Sequence, residues 1–192
     1  LDQCEKDRRR IQRHDRKLWA SMSAFAAGLL LIGYVGYTTS FGEMGKTLNS
    51  HFFERALLAE IEKEPKNPKL HNALASLYYQ RGAYERAIAF YERVIRLSST
   101  NVEALNNLAW LYATCDDERY RKADKALLYA RKAAQLRPAP HVLDTLAESY
   151  YANGKFSKAV EVIEEAVARE SAEKDYYRRQ MRKFQRAARR ES

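Results

Sequence analysis

LHNALASLYYQRGAYERAIAFYERVIRL, Leu70 to Leu97, and VLDTLAESYYANGKFSKAVEVIEEAV, Val142 to Val167, carry the same pattern. Between them, ALNNLAWLYAT, starting at Ala104, repeats its first half. Each copy has Leu-Ala-x-x-Tyr: Leu74-Ala75-Tyr78, Leu108-Ala109-Tyr112 and Leu146-Ala147-Tyr150. The first two copies are 34 residues apart and the third follows after 38. A leucine, its neighbour and the aromatic three further on share one face of a helix. A repeat of this length is one helical hairpin, which cannot bury its apolar face alone; stacked copies complete a core. Small residues at Ala75 and Ala87 let paired helices approach closely, and Gly82 suits the tight turn between them.

The composition agrees. The 192 residues include only 7 Gly and 4 Pro, too few turns for a many-stranded protein. Ala, Leu, Arg, Glu and Lys, all good helix formers, dominate after residue 50.

These motifs resemble the tetratricopeptide repeat over about Pro68 to Ala172. In the first copy Gly82, Tyr84, Ala87, Tyr91 and Val94 continue the motif, and in the third Gly154, Phe156, Ala159, Ile163 and Ala166 do so. In the second copy Ala126, Ala130, Ala133, Leu136 and Pro138 fit only after about five extra residues, placed in the turn around Cys115 to Ala123. The resemblance implies an all-α solenoid of about three helix pairs. Phe53, Leu57, Leu58 and Ile61 stand where the second helix of a preceding half-repeat would lie. Tyr177, Met181, Phe184 and Ala188 form an apolar stripe that suits a capping helix.

Ahead of the repeats, Leu18 to Tyr37 reads LWASMSAFAAGLLLIGYVGY, without a charge. Twenty helical residues span about 30 Å, the thickness of a bilayer's hydrocarbon core. Trp19 at one end and Tyr34 and Tyr37 at the other suit the two interfaces. Lys6, Arg8, Arg9, Arg10, Arg13, Arg16 and Lys17 precede the run, whereas only Glu43 and Lys46 follow closely. The positive-inside rule then puts the N-terminus in the cytoplasm and the repeats outside it, in a bacterium the periplasm of the inner membrane. A cleaved signal peptide shares the basic and apolar regions, but the run is long and no Ala-x-Ala follows, which favours an uncleaved anchor. Ala20, Ala24 and Gly28 form a small-residue stripe through which two anchors could pack into a homodimer.

The expected organisation is therefore a basic cytoplasmic arm (1–17), a transmembrane helix (18–40) that makes the bilayer itself a partner, a linker (41–49), a half-repeat helix (50–67), three repeats (68–172) and a basic capping helix (173–192).

The chain carries no recognisable catalytic motif. His14, His51, His71 and His141 are scattered, Cys4 and Cys115 form no CxxC, and no HExxH, GxSxG or phosphate loop occurs. Asp116-Asp117-Glu118 lacks the glycine and spacing of a calcium loop and reads as a solvated turn. The expectation is a non-enzyme without metal or cofactor. The net charge of +9 is concentrated at the two ends, each with its own explanation, so nucleic acid is not the expected partner.

In tetratricopeptide domains the first helix of each pair lines a concave groove for a protein or peptide ligand. Counting from the motif, the resemblance implies Asn72, Ser76, Tyr79 and Gln80 in the first copy, Asn106, Asn107, Trp110 and Thr114 in the second, and Asp144, Glu148 and Tyr151 in the third. Tyr79, Trp110 and Tyr151 are the candidate anchors, since large aromatics dominate interface energetics. A two-carboxylate clamp for chaperone C-termini would need Lys or Arg where Asn72, Ser76, His141 and Thr145 stand; only Asn107 matches. Glu103, Asp144 and Glu148 point instead to a neutral or basic ligand. A second candidate surface is the basic tail, where Arg178, Arg179, Arg182, Lys183 and Arg186 could hold anionic lipid, an acidic protein or nucleic acid. Membrane-tethered proteins of similar layout serve as assembly factors for envelope or respiratory complexes, including cytochrome c maturation, and that role is the expectation for the groove.

Overall fold

The computed structural model describes residues 42–169 and 174–191, and all regular structure among them is helical. The order is α1 (Gly42–Lys63), α2 (Pro68–Gln80), α3 (Tyr84–Leu97), α4 (Val102–Thr114), a 3₁₀ turn η1 (Glu118–Tyr120), α5 (Ala123–Leu136), α6 (Pro140–Ala152), α7 (Phe156–Arg169) and α8 (Lys174–Glu191). The chain divides into two units, residues 1–53 and 54–192. The first contributes only the start of α1 to the described residues, so helix reaches back through most of the stretch read as linker, 41–49. The expected membrane segment, 18–40, lies outside the described residues; no helix among those described is long and apolar enough to cross a bilayer.

The second unit is built from hairpins whose ends are chemically signed. Asn67 caps α2 by accepting from the Lys69 amide at 3.0 Å, with Pro68 in the first turn. Asn101 caps α4 through the Ala104 amide at 2.9 Å. Each side-chain oxygen satisfies an amide that the helix cannot. At the other end, α2 and α6 stop at Gly82 and Gly154, whose φ values of 71° and 69° lie in the left-handed region. After these glycines the Ala83 amide reaches the Tyr78 carbonyl and the Lys155 amide the Tyr150 carbonyl, each at 2.9 Å and five residues on. The second hairpin has no glycine there. The equivalent carbonyl, of Tyr112, is reached by the Lys122 amide at 2.9 Å, ten residues on. Five extra residues are thus looped out and the chain returns to the same bond, so the insertion in the Cys115–Ala123 turn leaves both helices in register.

Helices within each hairpin meet on alanines. Ala75, Ala87, Ala109, Ala126, Ala147 and Ala159 are all fully buried, surrounded by Leu74, Leu108, Tyr91, Tyr112 and Ile163. From α1, Leu57 and Ile61 pack on this core while Leu58 turns to solvent. Glu54 anchors the same helix by accepting from the Tyr78 hydroxyl at 2.8 Å and pairing with Arg81. This polar clasp joins residues 24 and 27 positions apart and has no signature in the repeat motif.

Candidate protein-binding groove

The first helices of the three hairpins, α2, α4 and α6, lie side by side, and register aligns their groove positions in rows. Asn72, Asn106 and Asp144 form one row, each two residues before the motif leucine. Ser76, Trp110 and Glu148 form the next, two residues after it. Tyr79 and Tyr151, then Gln80 and Thr114, continue toward the helix ends.

In the first two hairpins these side chains are partly exposed and mostly tied to the scaffold. Ser76 meets the hydroxyl of Tyr91 at 3.1 Å, and Asn107 faces the same hydroxyl from the next helix. Burial pushes the Tyr91 phenol up, while Ser76 and Asn107 act the other way. A motif residue of the core therefore orients two groove residues, which sequence spacing does not reveal. Tyr79 leans on Tyr84 with ring centroids 5.9 Å apart, and Tyr84 on Tyr120 at 5.7 Å, so the looped-out turn buttresses the first anchor. Thr114 donates to the Trp110 carbonyl at 2.8 Å. Asn72 and Asn106 each hold a side-chain carbonyl oxygen that is buried and unpartnered among the described residues. Trp110 is half-buried at the centre of the rows, and Gln80 is exposed.

The third hairpin differs. Asp144 and Glu148 are 4% and 5% exposed, because α8 covers them. The Tyr176 hydroxyl donates to Asp144 at 2.9 Å, and Lys183 donates to Glu148 at 2.6 Å. The Lys183 ammonium also sits 4.6 Å from the centre of the Tyr151 ring, which packs on Phe184 at 5.4 Å and Phe156 at 5.3 Å. Burial drives the Asp144 carboxyl up to about 6; the Tyr176 hydrogen bond opposes the shift and Glu148 adds to it. Burial likewise raises the Tyr176 phenol, foremost, with Asp144 adding its charge.

Two expectations change accordingly. Asp144, Glu148 and Tyr151 are engaged by the chain's own last helix, so they lend the groove no exposed acidic charge toward a basic ligand. The reason is pairing over 32 and 35 residues, invisible to local pattern. And Lys183, read as part of the basic patch, pairs with Glu148 while its side chain stays 43% exposed. Arg178, Arg179, Arg182 and Arg186 remain exposed on α8, while Tyr177 and Phe184 are buried beneath it.

Between these parts opens a cleft of about 380 Å³, lined by Tyr112, Thr114, Arg121, Glu148, Tyr151 and Lys183. Arg121 is held in its wall by donating to the Cys115 carbonyl at 2.6 Å and to Glu118 at 3.2 Å. The acidic turn is thus an internal clasp: Glu118 takes Arg121, and Asp117 takes Arg119 at 2.6 Å.

A model of the tetratricopeptide repeat matches residues 75–114, which include the Leu-Ala-x-x-Tyr motifs of both the first and second hairpins in part or whole. The chain carries tetratricopeptide repeats. Solved structures agree on the fold of this tetratricopeptide solenoid. One, described as MamA MSR-1 C2, shares 24% identity over 63% of this chain and 67% of its own, with a TM-score of 0.50. Another, a crystal structure of MamA, shares 17% identity over 76% of this chain and 94% of its own, with a TM-score of 0.55. No curated protein sequence matches the chain. Tetratricopeptide solenoids are ordinarily non-enzymatic and serve protein–protein recognition, which directs attention to the rows of α2, α4 and α6 rather than to a reactive centre.

Proposed function

We propose that this tetratricopeptide protein is an adaptor that holds a protein partner in the groove of α2, α4 and α6 while its N-terminal segment tethers it to a membrane. The observation that carries the groove reading is Trp110: a large aromatic, partly exposed, at the middle of the groove rows and not required by the core motif. Aromatics so placed are the usual anchors of interfaces. The tether is the uncharged run within 18–40, with the basic arm 1–17 on the cytoplasmic side and the repeats in the periplasm of a bacterial inner membrane. The corresponding task is assembly of an envelope or respiratory complex, such as one of cytochrome c maturation; the support is likeness of layout alone.

The test is affinity capture with the full chain in a non-ionic detergent, comparing it with Trp110→Ala. A groove partner should be retained by the parent and lost by the variant, since losing a central aromatic costs about 2 kcal/mol or more, roughly 30-fold in affinity. Partners captured equally by both would refute the groove reading. The rival reading, an electrostatic tether through the exposed arginines of α8, would show as association lost when Arg178, Arg179 and Arg182 become Gln yet indifferent to Trp110.

A further inference from the structure

The basic helix and the groove are one surface. Tyr177 and Phe184, the buried side chains of α8, stand 34 residues after Leu143 and Tyr150 of α6, the same step that separates the first two hairpins. His71, Leu105, Leu143 and Tyr177 are thus equivalent and all buried, and Phe184 takes the place of Tyr78, Tyr112 and Tyr150. The packing matches. α8 lies chiefly on α7 and touches α6, as α4 lies on α3 and touches α2. It is therefore the first helix of a fourth repeat, and its register continues the groove rows. Arg178 joins the row of Asn72, Asn106 and Asp144. Arg182 joins that of Ser76, Trp110 and Glu148, and Arg186 that of Gln80 and Thr114.

We infer that the groove takes an acidic segment of a partner protein, running from Trp110 to an arginine row formed by Arg178, Arg182 and Arg186. Charge complementarity favours this ligand. Of the three acids counted in the groove, Asp144 and Glu148 are buried under Tyr176 and Lys183, which leaves Glu103, at the start of α4, as the exposed one. The three arginines are exposed, and among the described residues Asp175 draws on Arg178 at a weak 3.4 Å. Guanidinium groups pair carboxylates in a fork of two parallel hydrogen bonds, a geometry lysine lacks. Adjacent helices lie about 10 Å apart, so α4 and α8 are about 20 Å apart, the reach of about six residues of extended chain. The fitting ligand has an apolar anchor followed, about six residues on, by glutamates or aspartates.

This rests on the groove reading, and the experiment separates the two. A fluorescein-labelled peptide of twelve residues, two leucines at one end and four glutamates at the other, is titrated by fluorescence anisotropy with the full chain in non-ionic detergent, beside a twin with glutamines. The expected result is binding of the glutamate peptide at least tenfold tighter than its twin at low salt. Arg178→Gln/Arg182→Gln/Arg186→Gln, with unchanged helical circular dichroism, should erase that preference, and Trp110→Ala should weaken both peptides. Equal binding of the two peptides, or a preference surviving the triple substitution, overturns the acidic assignment; Trp110 dependence in that case leaves the groove itself standing. A glutamate preference indifferent to Trp110 overturns both. Arginine-dependent binding of phosphatidylglycerol vesicles or single-stranded DNA without any peptide preference would assign the row to lipid or nucleic acid instead.

Discussion

Asp144 offers the sharpest check on how α8 sits in the groove. The residue is 4% exposed, one carboxyl oxygen has no partner among the described residues, and burial holds its pKa at about 6 against an ordinary 3.8. The folded state then binds more protons than the unfolded chain between those two values. Stability contributed by this group is fully present below pH 4 and is lost as pH rises through 6. The loss at neutral pH is about 3 kcal/mol, since each pKa unit is worth about 1.4 kcal/mol. Replacing Asp144 by Asn removes the buried charge and keeps the shape. It weakens the Tyr176 hydrogen bond by about 1 kcal/mol, because the acceptor is no longer charged. The net expectation is a variant more stable by about 2 kcal/mol at pH 8, or about 7 °C for a unit of this size, with no gain at pH 4. Thermal and urea unfolding of parent and variant across pH 4 to 8, followed by circular dichroism, measures the difference with all other titrations cancelling. A difference that does not change with pH, or a variant less stable at pH 8, would show that α8 does not bury this carboxylate.

Further outcomes follow from single positions. Ala75→Arg should unfold the first hairpin, because a charge would enter a contact where Ala75 is 0% exposed; lost cooperativity on heating would show it. Gly154→Ala should cost about 1–2 kcal/mol in urea unfolding, from the φ of 69° alone, since a methyl there would meet nothing within 4 Å. A fragment from residue 50 onward should be strongly helical, monomeric and cooperative by circular dichroism and sedimentation, and a strand-rich or non-cooperative product would contradict the repeat architecture. A reporter active only in the periplasm, fused after Ser192, should give signal; activity of a cytoplasmic reporter there would reverse the proposed topology.

Much of the fold was legible because a solenoid is nearly one-dimensional: each hairpin packs on its neighbours, so burial recurs at the repeat period. Leu74, Leu108 and Leu146 are buried where spacing placed them, and the five-residue insertion could be counted before its bond to Tyr112 was seen. The rows of the groove follow from the same count. What escaped was every contact outside the period. Glu54 reaches Tyr78 and Arg81, Tyr91 orients Ser76 and Asn107, and Arg121 folds back on Cys115. None of these pairs has a fixed offset to betray it.

Charge shows the division most plainly. A sequence counts Asp144, Glu148 and Lys183 as two acids and a base on different helices, and from it alone the groove reads acidic and the tail basic. Whether a charge is felt by a ligand depends on its distance to water and to an opposite charge, and those are set by how α8 lies on α6 and α7. Periodic burial of apolar side chains was the sequence's to determine, because it repeats with the chain. The sign of the exposed surface was decided only in three dimensions, where Lys183 and Tyr176 meet acids more than thirty residues away.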